Sequence, residues 1–525
     1  MSKPTSVHDE DPAALKPDQV APGHVSLTDE ENKRIRRKTD RTILVIVVWV
    51  YFLQILDKSV LGYGATFGLQ ADTGLTGNQY SLVGSIAPIA QLCWLPFSSY
   101  LIVKVPPKIL MPGMCLGWGI AQTCMAAAHD FGGLMATRFL LGLFEAGCLP
   151  LFSVLTSQWY LRAEQPIRVA AWYGTNGIAT IVAAALSYGL AHINSNVLES
   201  WQMQVFFLRF NECIFLFVGC LTIASVPFVY WRLDNDISSA RFLTEKEKLQ
   251  GIERLRANQT GTGSNKFKFS QVFEAVTEPK TYLWIGMALL LNIGASVTNT
   301  FGPLIIGGLG FDKYKTSLMT MPFGVMQFIA ILLGSYLAQT ARLKGVIIAI
   351  FMLPVVAGLA LLYALPRNDA SQGGLLAGYY LLGFLFGANP LIVSWIVGNT
   401  AGTTKKSVSM SLYNAAVSAG NIVGPLLFTS KDAPTYHPGL QACLGIFCAL
   451  IVIVLLQWVN LWFLNKLQAR RRVRNGKSAK VIDYSMQSHF RGVREDHGEG
   501  MTHTRAEAAS EDVTDRQNDE FVYIY

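Results

Sequence analysis

Asp57, Lys58, Arg138 and Glu145 are charged side chains set well inside long apolar runs. At the centre of a membrane-spanning helix each costs about 2.5–3.5 kcal/mol on insertion scales, so such residues are expected to pair and to mark a pathway. Arg138 and Glu145 are seven positions apart, two turns along one helical face. Asp57 and Lys58 are adjacent, so their side chains diverge by about 100° on a helix. Ionised, the four sum to zero charge. A carboxylate arriving among them would leave the group negative, and protonation of Asp57 or Glu145 would restore neutrality. Anion and proton would then bind cooperatively, by linkage. The competing reading is two inert ion pairs that hold helices together.

Other polar residues in apolar runs could line the same cavity: Asn176, Asn292, Asn299, Asn389, Trp395, Asn414 and Asn421. Asparagine also serves as interhelical glue, so each has two readings. Catalytic signatures do not occur. The sequence has no GxxxxGK[ST] phosphate loop, no HExxH, no GxSxG and no paired His/Cys cluster. The expectation is therefore no enzyme activity, no direct ATP drive, no cofactor and no metal. The eight cysteines lie in apolar segments without CxxC spacing and read as small core residues.

The elements that must position these residues follow from composition. Of 525 residues 51% are hydrophobic and only 15% charged, against about 25% charged in a soluble domain. Of 78 charged residues, 53 fall in three stretches, 1–41, 232–280 and 466–525, which excludes a soluble enzyme and a disordered chain alike. A spanning helix needs about 20 apolar residues. Candidates lie near 42–63, 79–103, 109–128, 131–156, 167–192 and 206–231, then 281–307, 315–340, 344–365, 373–398, 406–429 and 440–465. The fold class expected is an all-α membrane protein of twelve transmembrane helices in two six-helix pseudo-repeats. Its divisions are an N-terminal tail (1–41), a first bundle (42–231), a linker (232–280), a second bundle (281–465) and a disordered tail (466–525).

Lys and Arg favour the loops on one side, with Lys33 to Arg41 before the first span and Arg470 to Arg474 after the last. Both termini and the linker are therefore expected to be cytosolic. Thr244 with Glu247 reads as a capping box, opening a short amphipathic helix near 245–257 that lies against the membrane or the bundle. The net charge of +8 sits beside apolar runs, which points to anionic lipid headgroups rather than nucleic acid.

At these residues the chain resembles the major facilitator superfamily, and more closely the fungal allantoate-permease branch of the anion:cation symporter family. The resemblance covers about 40–465. It rests on Leu56-Asp57-Lys58, on Leu75-Thr76-Gly77-Asn78-Gln79-Tyr80-Ser81, and on Arg138-Phe139-Leu140-Leu141-Gly142-Leu143-Phe144-Glu145-Ala146. Met321-Pro322-Phe323-Gly324, Asn399-Thr400-Ala401-Gly402 and Ala419-Gly420-Asn421-Ile422-Val423-Gly424-Pro425 complete it. It implies the major facilitator fold and proton-coupled uptake of a small organic anion by alternating access. It further implies proton coupling at Asp57 and Glu145, substrate contact at Lys58 and Arg138, and cavity positions at Asn176 and Asn414. Trp395 and Asn299 join the substrate-binding candidates. The expected partners are a small organic anion, protons and the lipid bilayer, for a monomer at the plasma membrane. The chain departs from many relatives at Ala87-Pro88-Ile89-Ala90-Gln91, where aromatic residues are usual, and over 201–213, where a shorter apolar helix start is usual. The alternatives are a vitamin-type carboxylate symporter (nicotinate or pantothenate) and a nutrient receptor of the same fold that signals without transport.

Overall fold

Each predicted span is helical in the computed structural model, which describes residues 28–66, 69, 73–76, 79–192, 210–256, 266–307, 313–366, 368–427, 437–479 and 512–525. The first half comprises Val45–Thr66, Gln79–Lys104, Pro107–Met125, the pair Phe131–Glu145 and Cys148–Trp159, the pair Gln165–Tyr173 and Thr175–His192, and Phe210–Arg232. The second comprises Pro279–Gly307, Lys313–Ala341, Lys344–Ala364, the pair Gln372–Leu381 and Ala388–Gly398, Thr403–Leu426 and His437–Arg474. Among the described residues nine helices are long and apolar enough to cross a membrane, and ten if the bent second span is counted as one. The third, which carries Lys108 and Gln122, and the eleventh, rich in Ser, Thr, Asn and Lys, are not among them.

The two halves repeat one packing scheme. The first span packs on the fifth as the seventh does on the eleventh, and the third packs on the sixth as the ninth does on the twelfth. Between the halves, the second span meets the eleventh and the fifth meets the eighth. At the latter crossing a Cβ on Gly177 would lie 2.3 Å from the Gly324 carbonyl oxygen, and one on Gly324 would lie 2.8 Å from that of Gly177. Only glycine fits so close a backbone approach.

Two breaks in the helices are written in proline. Pro96 divides the second span into Leu82–Trp94 and Pro96–Lys104, bent by 57°, because its ring removes a backbone bond and crowds the preceding turn. In the fourth span the Ala146 carbonyl would bond the amide four residues on, but that residue is Pro150, which has no N–H. Asn414 of the opposite half takes its place, donating from Nδ2 to the Ala146 oxygen at 2.8 Å.

The linker helix Glu245–Arg256 opens on the expected capping box. The Thr244 N–H donates to Glu247 Oε2 at 2.9 Å, and the Glu247 N–H to Thr244 Oγ1 at 3.4 Å. It lies against the bundle: Gln250 and Arg254 are buried, and Arg254 is ion-paired with Glu164 in the loop after the fourth span. The N-terminal helix Asp29–Thr39 packs beside it, with Lys38 Nζ 2.7 Å from Glu247 and Arg36 3.3 Å from Glu164. Burial pushes the Glu164 carboxyl up, but Arg254, Arg168 and Arg36 outweigh it and hold it below the usual carboxylate range. These elements gather on one face, here called the linker face.

The expectation of a disordered tail fails over 512–525. This segment is packed on the linker face, with Thr514, Asp515, Phe521, Tyr523 and Ile524 buried. Alternating Phe521, Tyr523 and Tyr525 give it an apolar side, and Asp515 meets buried lysines there. The sequence over 201–209 lies outside the described residues.

Candidate functional site

The charges that stayed in the membrane converge where the first, second and fourth spans meet the eleventh. Lys58 Nζ lies 3.4 Å from Glu145 Oε2; the lysine side chain is 44% exposed and the glutamate 0%. Gln91 of the second span donates from Nε2 to the same oxygen at 3.3 Å. The Gln91 carbonyl in turn accepts from Ser418 of the eleventh span at 2.9 Å. Ser418 is one turn beyond Asn414, whose backbone carbonyl it also bonds at 3.0 Å. Glu145 is thus tied to the opposite half by two side chains in series. Its Oε1 has no hydrogen-bond partner among the described residues.

Of the two ion pairs in the competing structural reading, one forms. Asp57 is fully buried, forms no ion pair among the described residues, and has the Trp118 side chain as a hydrogen-bonding neighbour. Arg138 is buried, with no hydrogen-bond partner for Nε and Nη2 among the described residues. Asp57 and Arg138 form no salt bridge, although each lies in the field of the other and of Glu145. Asp57 and Arg138 are thus buried charges in one another's field rather than a closed ion pair.

Asn176 belongs to the same region, donating to the Tyr51 hydroxyl at 3.1 Å and to the Tyr173 carbonyl at 2.9 Å. Tyr173 adjoins Tyr413 of the eleventh span, whose hydroxyl donates to Asn389 Oδ1 at 3.0 Å. Asn292 donates from Nδ2 to the Ala288 carbonyl of its own helix at 2.8 Å, a bond within one helix and not between two. The side chain of Asn299 lies outside the described residues.

Trp395 is a correction. Its fully buried indole is near the linker-face end of the tenth span, where Nε1 donates to the Ile524 carbonyl at 2.8 Å. It is a receptor for the C-terminal segment and does not join the charged cluster. Gln91, the last residue of the Ala87–Gln91 stretch, is the one that reasoning from charge passes over.

Twelve spans in two equivalent halves, with charged and polar groups bonded across the seam, define a multi-pass membrane transporter. The chain belongs to the Major Facilitator Superfamily, whose profile matches residues 47–425. It is 30% identical over 457 residues to the thiamine pathway transporter THI73 of Saccharomyces cerevisiae, covering 85% of this chain and 83% of that one. The allantoate permease of the same yeast is 28% identical over 459 residues, covering 83% and 81%. Among solved structures, the human organic anion transporter MFSD10 (TETRAN) superposes with a TM-score of 0.56 at 13% identity, over 79% of this chain and 99% of that one. At that identity the likeness is one of fold.

Proposed function

We propose that this protein is a proton-coupled importer of a small organic anion, a ureide or carboxylate, working as a monomer by alternating access. The observation that carries the proposal is the pairing of a half-exposed Lys58 with a wholly buried Glu145. An anion that reaches the Lys58 ammonium competes with Glu145 for it, and a proton on Glu145 compensates the lost partner. Substrate binding and protonation then favour each other, and the linkage is reciprocal. Asp57 and Arg138 support the reading, being buried charges without the mutual ion pair that would make them structural. Gln91 and Ser418 give the protonation state of Glu145 a route to the opposite half.

The similarity to an allantoate permease favours a ureide. The similarity to a protein named for the thiamine pathway keeps a vitamin-type carboxylate as the second reading. The basic loops favour a cytosolic linker face, and import from the medium, as proposed, would place the protein at the plasma membrane. The test is uptake into cells expressing the protein, with allantoate, ureidosuccinate, nicotinate and pantothenate as competitors and medium pH recorded. Saturable uptake with medium alkalinisation supports import with protons. Saturable binding without accumulation or proton flux overturns it in favour of a receptor.

A further inference from the structure

Residues 512–525 lie across the seam between the halves, and the transport chemistry above does not account for them. Their backbone is held by a matched set of groups from the second half. Asn399 donates from Nδ2 to the Ile524 carbonyl at 2.9 Å and accepts the Ile524 N–H on Oδ1 at 2.7 Å. Asn465 repeats the arrangement at Tyr523, donating at 2.8 Å and accepting at 2.9 Å. Asp515 is fully buried, ion-paired with Lys280 and, at 2.8 Å, with Lys405. The first half contributes Arg162, from the loop after the fourth span. Its guanidinium donates to the Val522 carbonyl at 2.9 Å and to that of Gly398, and lies 4.7 Å over the Phe521 ring. Arg162 and the segment together make one stitch from half to half.

We propose that residues 512–525 are an intramolecular latch: docked, they hold the halves together on the linker face, and they must leave before that face opens. Alternating access parts the halves on each face in turn, and Arg162 cannot follow the first half while it remains on Gly398 and Val522. The receptor is built to survive release. Lys405 keeps Glu274 at 2.6 Å and Glu278 at 2.7 Å, and Lys280 keeps Glu278 at 3.1 Å. Two ammonium groups and two carboxylates stay balanced when Asp515 departs. The segment is tethered to the twelfth span, so its return is an intramolecular event at high effective concentration.

Hydrogen exchange on the purified full chain, on a variant lacking 512–525 and on Asp515→Asn tests this without a substrate. The informative amides are those of 99–105 in the second span. They meet the second half through Ser407, which donates to the Ser99 carbonyl at 3.1 Å, and not through the segment. Their exchange is expected to rise about five-fold or more in the deletion as the seam opens more often, to rise less in Asp515→Asn, and to return when a synthetic peptide of residues 511–525 is added. Faster exchange confined to the amides that the segment itself bonds, those of Lys344, Ala401 and Thr403, would overturn the latch. Failure of the peptide to bind the deletion variant would overturn it as well.

Discussion

The Lys58 ammonium lies 3.4 Å from Glu145 Oε2, a half-exposed cation on a wholly buried acid. The asymmetry sets an order of events. Lys58 is accessible while Glu145 is not, so under the proposed mechanism an arriving anion meets the lysine first and the acid answers.

Replacing Glu145 by Gln keeps the hydrogen-bonding shape and removes the titration. We expect proton-driven accumulation to be lost while counterflow of labelled substrate persists in proteoliposomes. Accumulation unchanged from the parent would remove Glu145 from the coupling step.

Lys58→Ala deletes the cation and leaves Glu145 with Gln91. Truncating one partner of a buried charge pair costs about 3–5 kcal/mol where the other stays charged, and the half-exposure of Lys58 reduces that. Uptake is expected to fall at least about ten-fold, the equivalent of 1.4 kcal/mol, with a smaller fall in the amount of protein at the surface. Equal falls in both measurements would make the lysine structural.

Asn414→Ala and Trp395→Phe separate two sites that the sequence placed together. The first removes the donor that caps the Ala146 carbonyl across the seam, a bond worth about 1 kcal/mol, and is expected to change KM about five-fold. The second removes a donor to Ile524 and should leave KM unchanged while loosening the C-terminal segment. A KM shift in Trp395→Phe alone would reverse the assignment.

Thr244→Ala removes one arm of the capping box that opens the linker helix. Loss of an N-cap costs about 1 kcal/mol, so exchange of the amides over 246–250 should speed up about five-fold with little effect further away. Global loss of stability would mean that the linker helix is integral to the first half.

The Asp515 ion pairs should not make docking of the C-terminal segment depend on pH in the physiological range. Burial pushes the Asp515 carboxyl up, and Lys280 and Lys405 outweigh it, holding it well below the usual carboxylate range. A group whose value is depressed in the docked state contributes fully above its free value, about 3.9, and loses its contribution as pH falls below that. The protection of Thr403, corrected for intrinsic exchange, should therefore match at pH 7.5 and 5.5. A clear loss at 5.5 would tie the segment to the proton cycle.

The membrane class and the helices were legible because burial in lipid demands long apolar runs, and the charges violating them stood out for the same reason. Asp57 and Glu145 carry their own signal. Gln91 does not: a neutral amide in an apolar run looks like glue until its neighbours are known. Trp395 reads as a cavity residue from sequence because an aromatic residue in an apolar span reports burial but not depth along the helix. The segment 512–525 reads as disordered from sequence because mixed charge and polarity dominate its composition. Its ordering depends on Lys280, Lys405 and Arg162, which lie far away in sequence, although the alternation of Phe521, Tyr523 and Tyr525 was visible. The orphaned Ala146 carbonyl follows from Pro150 alone, but its partner Asn414 is 268 positions away.

The meeting of Gly177 with Gly324 bears on how the halves can move. Backbone lies directly on backbone there, ringed by the Phe328, Ile181 and Thr180 side chains, so the fifth and eighth spans pivot on the glycine contact while those side chains adjust. That crossing is a bearing surface, and a methyl group on either glycine would act as a shim, setting the halves apart along the whole length of the seam.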